Sequence, residues 1–210
     1  MSDDFETLQP GSTFGQYQVV GLLGRGGMGE VYEVVDELAD HLALKLLSSE
    51  VMEVPGALER FQREARVMSE MDHPGIIKVL CVGETDGRHW IGMELMPGWD
   101  LGEQTVMTLG DYVRHHGGKL PQDEVLGILG RLLDALGHAH EMGLVHRDVK
   151  PANVLLGEDA LKIADFGLVG AAGADWMETQ VRNTVLDPDM EDTLIDSSGT
   201  GSRAHALMGT

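Results

Sequence analysis

Six residues, Gly24-Arg25-Gly26-Gly27-Met28-Gly29, separate two stretches of strand character and constrain the fold more than any other feature of the chain. Before them runs Tyr17-Gln18-Val19-Val20-Gly21-Leu22-Leu23. After them runs Glu30-Val31-Tyr32-Glu33-Val34-Val35, alternating and β-branched. With 28 glycines in 210 residues the G-x-G-x-x-G spacing alone is weak evidence. The same spacing opens dinucleotide-binding units, but there a helix must follow the glycines. Here a strand follows, so the run predicts the turn of a hairpin. Such a hairpin can lie over a triphosphate, its backbone N–H groups reaching oxygens with no Cβ in the way.

Further along, a third strand is expected over His41 to Leu47, with Ala43 and Lys45 on one face and Leu42, Leu44 and Leu46 on the other. A helix is expected from Ala57 to Met71, with Leu58, Phe61, Ala65 and Met68 on one stripe, stopped by Asp72-His73-Pro74-Gly75. Two more strands are expected at Ile76–Val82 and Arg88–Leu95, joined at Asp86-Gly87. Met96-Pro97-Gly98 breaks the pattern and marks a boundary. Residues 100–108 read as a loop and Leu109–His115 as a short helix. A long helix runs from Pro121 to Met142, with Leu129, Leu132, Leu133 and Leu136 at helical spacing. Short strands at 154–156 and 161–163 follow. From Ala171 the text is Gly-, Asp- and Thr-rich without period and reads as a long loop.

Composition narrows the function classes. Net charge is -20, from 15 Lys+Arg against 35 Asp+Glu, which repels nucleic acid and anionic membrane surfaces. An anionic ligand would need local lysines, backbone N–H groups and metal ions. Cys81 is the lone cysteine, so no intrachain disulfide is available and a reducing compartment, the cytoplasm, is expected. Asp3, Asp4 and Glu6 at the start argue against a signal peptide, and no run approaches a spanning length.

The chemistry concentrates in His146-Arg147-Asp148-Val149-Lys150-Pro151-Ala152-Asn153. Asp148 can accept a proton from a hydroxyl, Lys150 can sit against a negative oxygen, and Asn153 can offer a carbonyl oxygen to a hard metal ion. That set serves phosphoryl transfer, where catalysis is positioning and charge neutralisation. Asp165, beside Phe166, supplies a second oxygen for Mg²⁺. Lys45, inside an apolar strand, either snorkels at an edge or is paired. Glu64 is its expected partner, although Glu64 among Arg60, Arg63 and Arg66 could equally be a solvated face. His138 and His140 point to different faces of their helix, and His146 is expected to pack in the core of its loop. Trp90, Trp99 and Trp176 are read as packing residues.

In this order the motifs resemble a eukaryotic-type (Hanks-type) serine/threonine protein kinase of bacterial flavour. The motifs are Gly24-x-Gly26-x-x-Gly29-x-Val31, Ala43-x-Lys45, Glu64, His146-Arg147-Asp148-x-Lys150-Pro151-x-Asn153 and Asp165-Phe166-Gly167. The resemblance implies an α+β, two-lobed kinase-like fold. It has an acidic lead-in at 1–15, an N-lobe of antiparallel sheet plus one helix at 16–96, a partial helical C-lobe at 97–170, and an activation-loop segment at 171–210. It implies ATP and Mg²⁺ as cofactors and proteins with Ser/Thr acceptors as partners, with no nucleic acid. Asp148 would be the base and Lys150 would steady the γ-phosphate. Lys45 and Glu64 would pair, and Asn153 and Asp165 would hold Mg²⁺. Leu23, Gly24, Gly26, Gly29, Val31, Ala43, Lys45, Met93, Glu94, Met96, Asp100 and Leu155 would line the nucleotide site, Glu94 and Met96 through backbone groups. Met68, His146 and Phe166 would stack in an internal column, and Arg147 suggests control by a phosphate on the activation loop.

Two departures from the family pattern stand out. Trp99–Thr108 resembles a small insertion. The loop after Asp165 is long and acidic, with Thr179, Thr184, Thr193, Ser197, Ser198 and Thr200 as candidate phosphosites. The chain ends at Ala206-Leu207-Met208-Gly209-Thr210, where the resemblance implies that a substrate-docking segment begins. A truncated kinase fragment that binds ATP without transferring phosphate is therefore the alternative expectation, with a small-molecule kinase as a third.

Overall fold

The structure, a computed structural model, describes residues 7–27, 29–158 and 160–166. Among these the strands are β1 (Thr13–Phe14), β2 (Tyr17–Gly26), β3 (Gly29–Val35), β4 (His41–Leu47), β5 (Val79–Thr85), β6 (Arg88–Glu94), β7 (Trp99–Asp100), β8 (Thr105–Val106), β9 (Val154–Gly157) and β10 (Ala160–Ile163). The helices are α1 (Ser49–Met52), α2 (Ala57–Glu70), α3 (Leu109–His115) and α4 (Gln122–Glu141). A 3-10 turn at Pro151–Asn153 leads into β9. The candidate phosphosites, Trp176, Gly167 and the whole segment 171–210 lie outside the described residues.

The first six strands form one antiparallel sheet in the order β1-β2-β3-β4-β6-β5. The glycines turn β2 into β3, as their position between two strand-forming runs requires. Strand β4 is central and buried on both faces, which is why it reads as a near-continuous apolar run. Leu42, Leu44 and Leu46 pack with Phe14, Tyr17, Val19, Tyr32, Val34 and Trp90. Ala43 and Leu47 face the other way, into a core shared with Phe61, Ala65 and Met68 of α2 and with the helical half. Leu58, expected on the same stripe, is only half-buried.

Several boundaries differ from the sequence-based expectation. Residues 7–14, within the expected acidic lead-in, are joined to the sheet. Gly11 N–H donates to Val19 C=O at 2.8 Å, and β1 pairs with β2. Helix α1, capped by Ser48, was not expected; four residues carry too little periodicity to declare it. Strand β5 begins at Val79, because Ile76 and Ile77 pair elsewhere. Ile77 N–H donates to Ile163 C=O at 2.9 Å, and Ile163 N–H donates to Gly75 C=O at 2.8 Å. Residues buried in that bridge are as apolar as strand residues, so hydropathy does not separate them. The expected loop at 100–108 contains the small β7–β8 hairpin, with Trp99 edge-on to Tyr112 at 5.0 Å and its indole donating to Gly157 C=O.

Helix α4 forms as expected, and of its expected stripe Leu132 is buried and Leu136 packs against the core, but the inward edge is completed by alanines. Leu132, Ala135 and Ala139 are buried, while Leu129 and Leu133 are 46% and 67% exposed. Leucines outweigh alanines in an apolar count. The close-packed edge, however, is the one whose small side chains let the helix approach the core.

Candidate active site

The site is built where β4, the segment after α4, and the end of β10 meet. Gly143, at φ 77°, ends α4, and the chain turns into the catalytic segment. Arg147 sits at φ 67°, a left-handed value uncommon outside glycine, so the turn here is held by its contacts. Those contacts centre on His146, which is 1% exposed. Its Nε2 lies 2.8 Å from Ala164 C=O, and its Nδ1 accepts from Asp148 N–H at 3.2 Å. A carbonyl can only accept and an amide can only donate, so the ring is the neutral tautomer with the proton on Nε2. Burial pushes its pKa below the ordinary 6.5, in the same sense. The ring packs on Phe166 at 4.7 Å, and Met68 and Phe166 belong to one core.

Asp148 is gripped from one side. Asn153 Nδ2 donates to Asp148 Oδ2 at 3.0 Å and to its C=O at 2.8 Å, and Lys150 Nζ lies 2.9 Å from the same Oδ2. These contacts leave Oδ1 as the oxygen placed to take a proton. The Asn153 amide spends its donors on Asp148, so its Oδ1 remains as an acceptor or metal ligand. Asn153 C=O also accepts from Ala164 N–H at 2.8 Å. One buried asparagine thus ties Asp148 to the strand end that carries Asp165.

Asp165 follows β10 at φ 62° and places Oδ1 2.6 Å from Lys45 Nζ. The Lys45 side chain is 4% exposed and that of Asp165 33%. A buried ammonium needs such a partner, and it has one. The expected Lys45–Glu64 pair is not formed in this structure. Glu64 Oε2 is buried with no hydrogen-bond partner among the described residues. Burial raises the Glu64 pKa above 4.5, opposed by Arg147 first and then by Arg63 and Arg60. The reason is geometric: the left-handed backbone at Asp165 turns a carboxylate onto Lys45 from the strand side, and the charges acting on Glu64 are arginines.

The remaining candidates are spread over three sheets: Leu23, Gly24, Gly26, Gly29, Val31, Ala43 and Met93 lie on the six-stranded sheet, Asp100 on β7 and Leu155 on β9, with Met96 between β6 and β7. Val31 lies opposite Lys45 in the β3–β4 register, and Ala43 opposite Met93 between β4 and β6. Val31, Ala43, Met93, Met96 and Leu155 share one core. Leu23 is 44% exposed on β2. Among the described residues, and apart from their chain neighbours, no atom lies within 4 Å of where a Cβ would stand on Gly24 or Gly26. Gly29 differs: a Cβ there would stand 1.8 Å from Leu46 C=O. Asp100 is exposed, and its described contact is with Gly102 N–H at 2.8 Å.

One role was missed. Glu94, expected to act through its backbone, also uses its side chain: Oε1 accepts from Lys78 N–H at 2.7 Å and from Lys162 Nζ at 2.6 Å. It thereby ties β6 to β10. No spacing rule links residues so far apart in sequence.

The donor set fits a nucleotide with magnesium. Asn153 and Asp165 offer two oxygens. Among the described residues no three His, Cys, Asp or Glu side chains converge on a metal position. Mg²⁺ accepts that arrangement, completing its shell with phosphate oxygens and waters.

The six-stranded sheet with its glycine hairpin, the Lys45–Asp165 pair and the Asn153-held Asp148 define a protein-kinase-like fold. The protein kinase domain model matches residues 17–185. Serine/threonine-protein kinase PknH of Mycobacterium tuberculosis is 36% identical over 170 residues, 80% of this chain and 26% of that protein. PrkC of Bacillus subtilis is 36% identical over 159 residues, 75% of this chain and 23% of that protein. The crystal structure of the Mycobacterium tuberculosis PknI kinase domain superposes with a TM-score of 0.67 at 38% identity, covering 78% of this chain and 64% of that one. The chain belongs to the protein kinase family, in company with bacterial Hanks-type serine/threonine kinases. It spans about a quarter of the length of the curated relatives it matches. Kinases of this family use ATP with Mg²⁺.

Proposed function

We propose that this chain carries the nucleotide and catalytic centre of a protein serine/threonine kinase, which moves the γ-phosphoryl group of ATP to a Ser or Thr hydroxyl. The observation that carries the reading is the Asn153 junction. It holds Asp148 by two hydrogen bonds and, through Ala164 N–H, the strand end that bears Asp165.

In the reaction the acceptor hydroxyl oxygen bonds to the γ-phosphorus as the bond to the β–γ bridging oxygen breaks, leaving ADP. Asp148 Oδ1 orients the hydroxyl and takes its proton; Lys150, already beside Asp148, offsets negative charge on the transferring oxygens. Lys45 neutralises the α- and β-phosphates. The Gly24–Gly29 hairpin covers the phosphates with backbone N–H groups. Val31, Ala43 and Leu155 enclose the adenine, with Met93 behind it, Glu94 and Met96 at its edge, Leu23 at the mouth and Asp100 toward the ribose. Asn153 and Asp165 would hold Mg²⁺, which supplies charge neutralisation at the phosphates.

The test uses radiolabelled ATP, Mg²⁺ and a generic protein substrate, comparing wild type with Asp148→Ala. Label transfer by wild type, lost in the variant, supports the reading; equal signals from both overturn it. Nucleotide binding without transfer is the second reading. The same assay beside a binding measurement separates the two. The lone Cys81 and the net charge of -20 fit a cytoplasmic protein with protein rather than nucleic-acid partners. Among the described residues no helix is long and apolar enough to cross a membrane.

A further inference from the structure

The hairpin that covers the nucleotide is held from behind. Arg25 and Glu30 are cross-strand partners in β2 and β3, one pair from the turn at Gly26 and Gly29. Side chains alternate along β3. Val31 shares the nucleotide-side core with Ala43 and Met93, whereas Tyr32 and Val34 belong to the opposite core. Glu30 lies on the Tyr32 side. There its Oε1 receives Arg25 Nη2 at 2.6 Å and Thr7 Oγ1 at 3.2 Å. Its Oε2 receives the Tyr32 hydroxyl at 2.5 Å, with Arg88 Nη2 at 3.7 Å.

Residues ahead of the hairpin close the network. Arg25 Nη2 also donates to Thr7 Oγ1 at 2.5 Å, and Leu8 N–H donates to the Tyr32 hydroxyl at 3.0 Å. The segment is then locked to β2 by Gly11 N–H to Val19 C=O at 2.8 Å and Val19 N–H to Ser12 C=O at 2.9 Å. Burial works against the charge on Glu30, but the Tyr32 hydroxyl and Arg25 outweigh it and hold the carboxyl below its ordinary 4.5. A largely buried carboxylate with this many donors joins two things: the segment at 7–14 and the tip of the glycine hairpin. The protein kinase domain model begins at residue 17, so Thr7 and Leu8 lie ahead of it.

We propose that residues 7–14 are a tether that sets the position of the glycine turn over the phosphates, with Glu30 as a positioning residue acting through Arg25. The tether rests on the reading of the hairpin as a nucleotide cover. It acts on the phosphate end of the ligand and leaves the adenine pocket alone, because Glu30 and Thr7 sit on the far face of the sheet.

The test measures binding of Mg·ATP and of adenosine to the full chain, for wild type, Glu30→Gln and Thr7→Val, with backbone hydrogen exchange at Gly24, Gly26 and Gly29. Both variants are expected to weaken Mg·ATP by about tenfold, leave adenosine within about twofold, and speed exchange at the hairpin. Unchanged Mg·ATP affinity and unchanged exchange in both variants overturn the tether while leaving the nucleotide reading intact. Equal loss of ATP and adenosine also overturns it, since that marks general damage to the fold. If wild type binds no Mg·ATP, the kinase reading fails instead. Exchange at the three glycines then decides the tether alone: faster in the variants supports it, unchanged overturns it.

Discussion

Lys45 Nζ lies 2.6 Å from Asp165 Oδ1, joining the middle of β4 to the residue just past the end of β10. The two sides of this pair are unequally buried, at 4% for lysine and 33% for aspartate. The site therefore rests on an ammonium that cannot be solvated and a carboxylate that can.

That asymmetry makes two substitutions inequivalent. Lys45→Met removes the group whose burial is costly and leaves a carboxylate that water reaches, so the melting temperature should move by no more than about 2 °C. Asp165→Asn strands the buried ammonium and should lower it by more than about 5 °C. Phosphoryl transfer should fall at least about a hundredfold in both. Thermal melts and label transfer measured side by side check the pattern.

Gly26 and Gly29 face each other across the same turn and should fail in different ways. A Cβ on Gly26 would meet no described residue beyond its chain neighbours, whereas a Cβ on Gly29, at φ 134°, would collide with Leu46 C=O. Gly26→Ala should leave stability within about 1 kcal/mol and weaken Mg·ATP binding, while Gly29→Ala should cost about 3 kcal/mol or more in folding. Denaturant titrations with a nucleotide-binding assay separate the two.

Much of this was legible from sequence because the informative residues are local. The hairpin followed from strand, glycines and strand, and Asp148, Lys150 and Asn153 lie within one short loop. What escaped depends on non-local geometry. Lys45 could be seen to need a partner, but choosing Asp165 over Glu64 requires the backbone turn at Asp165. The inward edge of α4 depends on close approach at Ala135 and Ala139, which an apolar count ranks below leucine. The Glu30 network joins residues 7, 25, 30, 32 and 88; strand alternation puts 30 and 32 on one face, but no periodicity brings 7, 25 and 88 to them.

Glu64 makes folding pH-dependent with a definite sign. Its folded pKa is raised by burial, so its contribution is fully present below the ordinary carboxyl value of 4.5 and is lost as pH rises through the folded value. At pH 7 the buried charge is a burden, partly offset by Arg147, Arg63 and Arg60. Glu64→Gln should therefore raise the melting temperature at pH 7, and the gain should shrink as the pH is lowered toward 4.5. A gain that grows on acidification would contradict the burial reading.

On α4, Leu132 is 8% exposed and Leu133 is 67% exposed. Leu132→Ala should cost about 2–3 kcal/mol, and Leu133→Asn should stay within about 0.5 kcal/mol. Chemical denaturation of the two variants checks which edge of the helix carries the core.

The central claim is that Lys45, Asn153 and Asp165 form a nucleotide–metal site. It is tested most directly by calorimetric titration of wild type with a non-hydrolysable ATP analogue and with adenosine, with Mg²⁺ present and with Mg²⁺ chelated. The account predicts saturable analogue binding that weakens at least about tenfold on chelation, and adenosine binding that does not change. Analogue binding of equal strength with and without Mg²⁺, or no analogue binding at all, would contradict it.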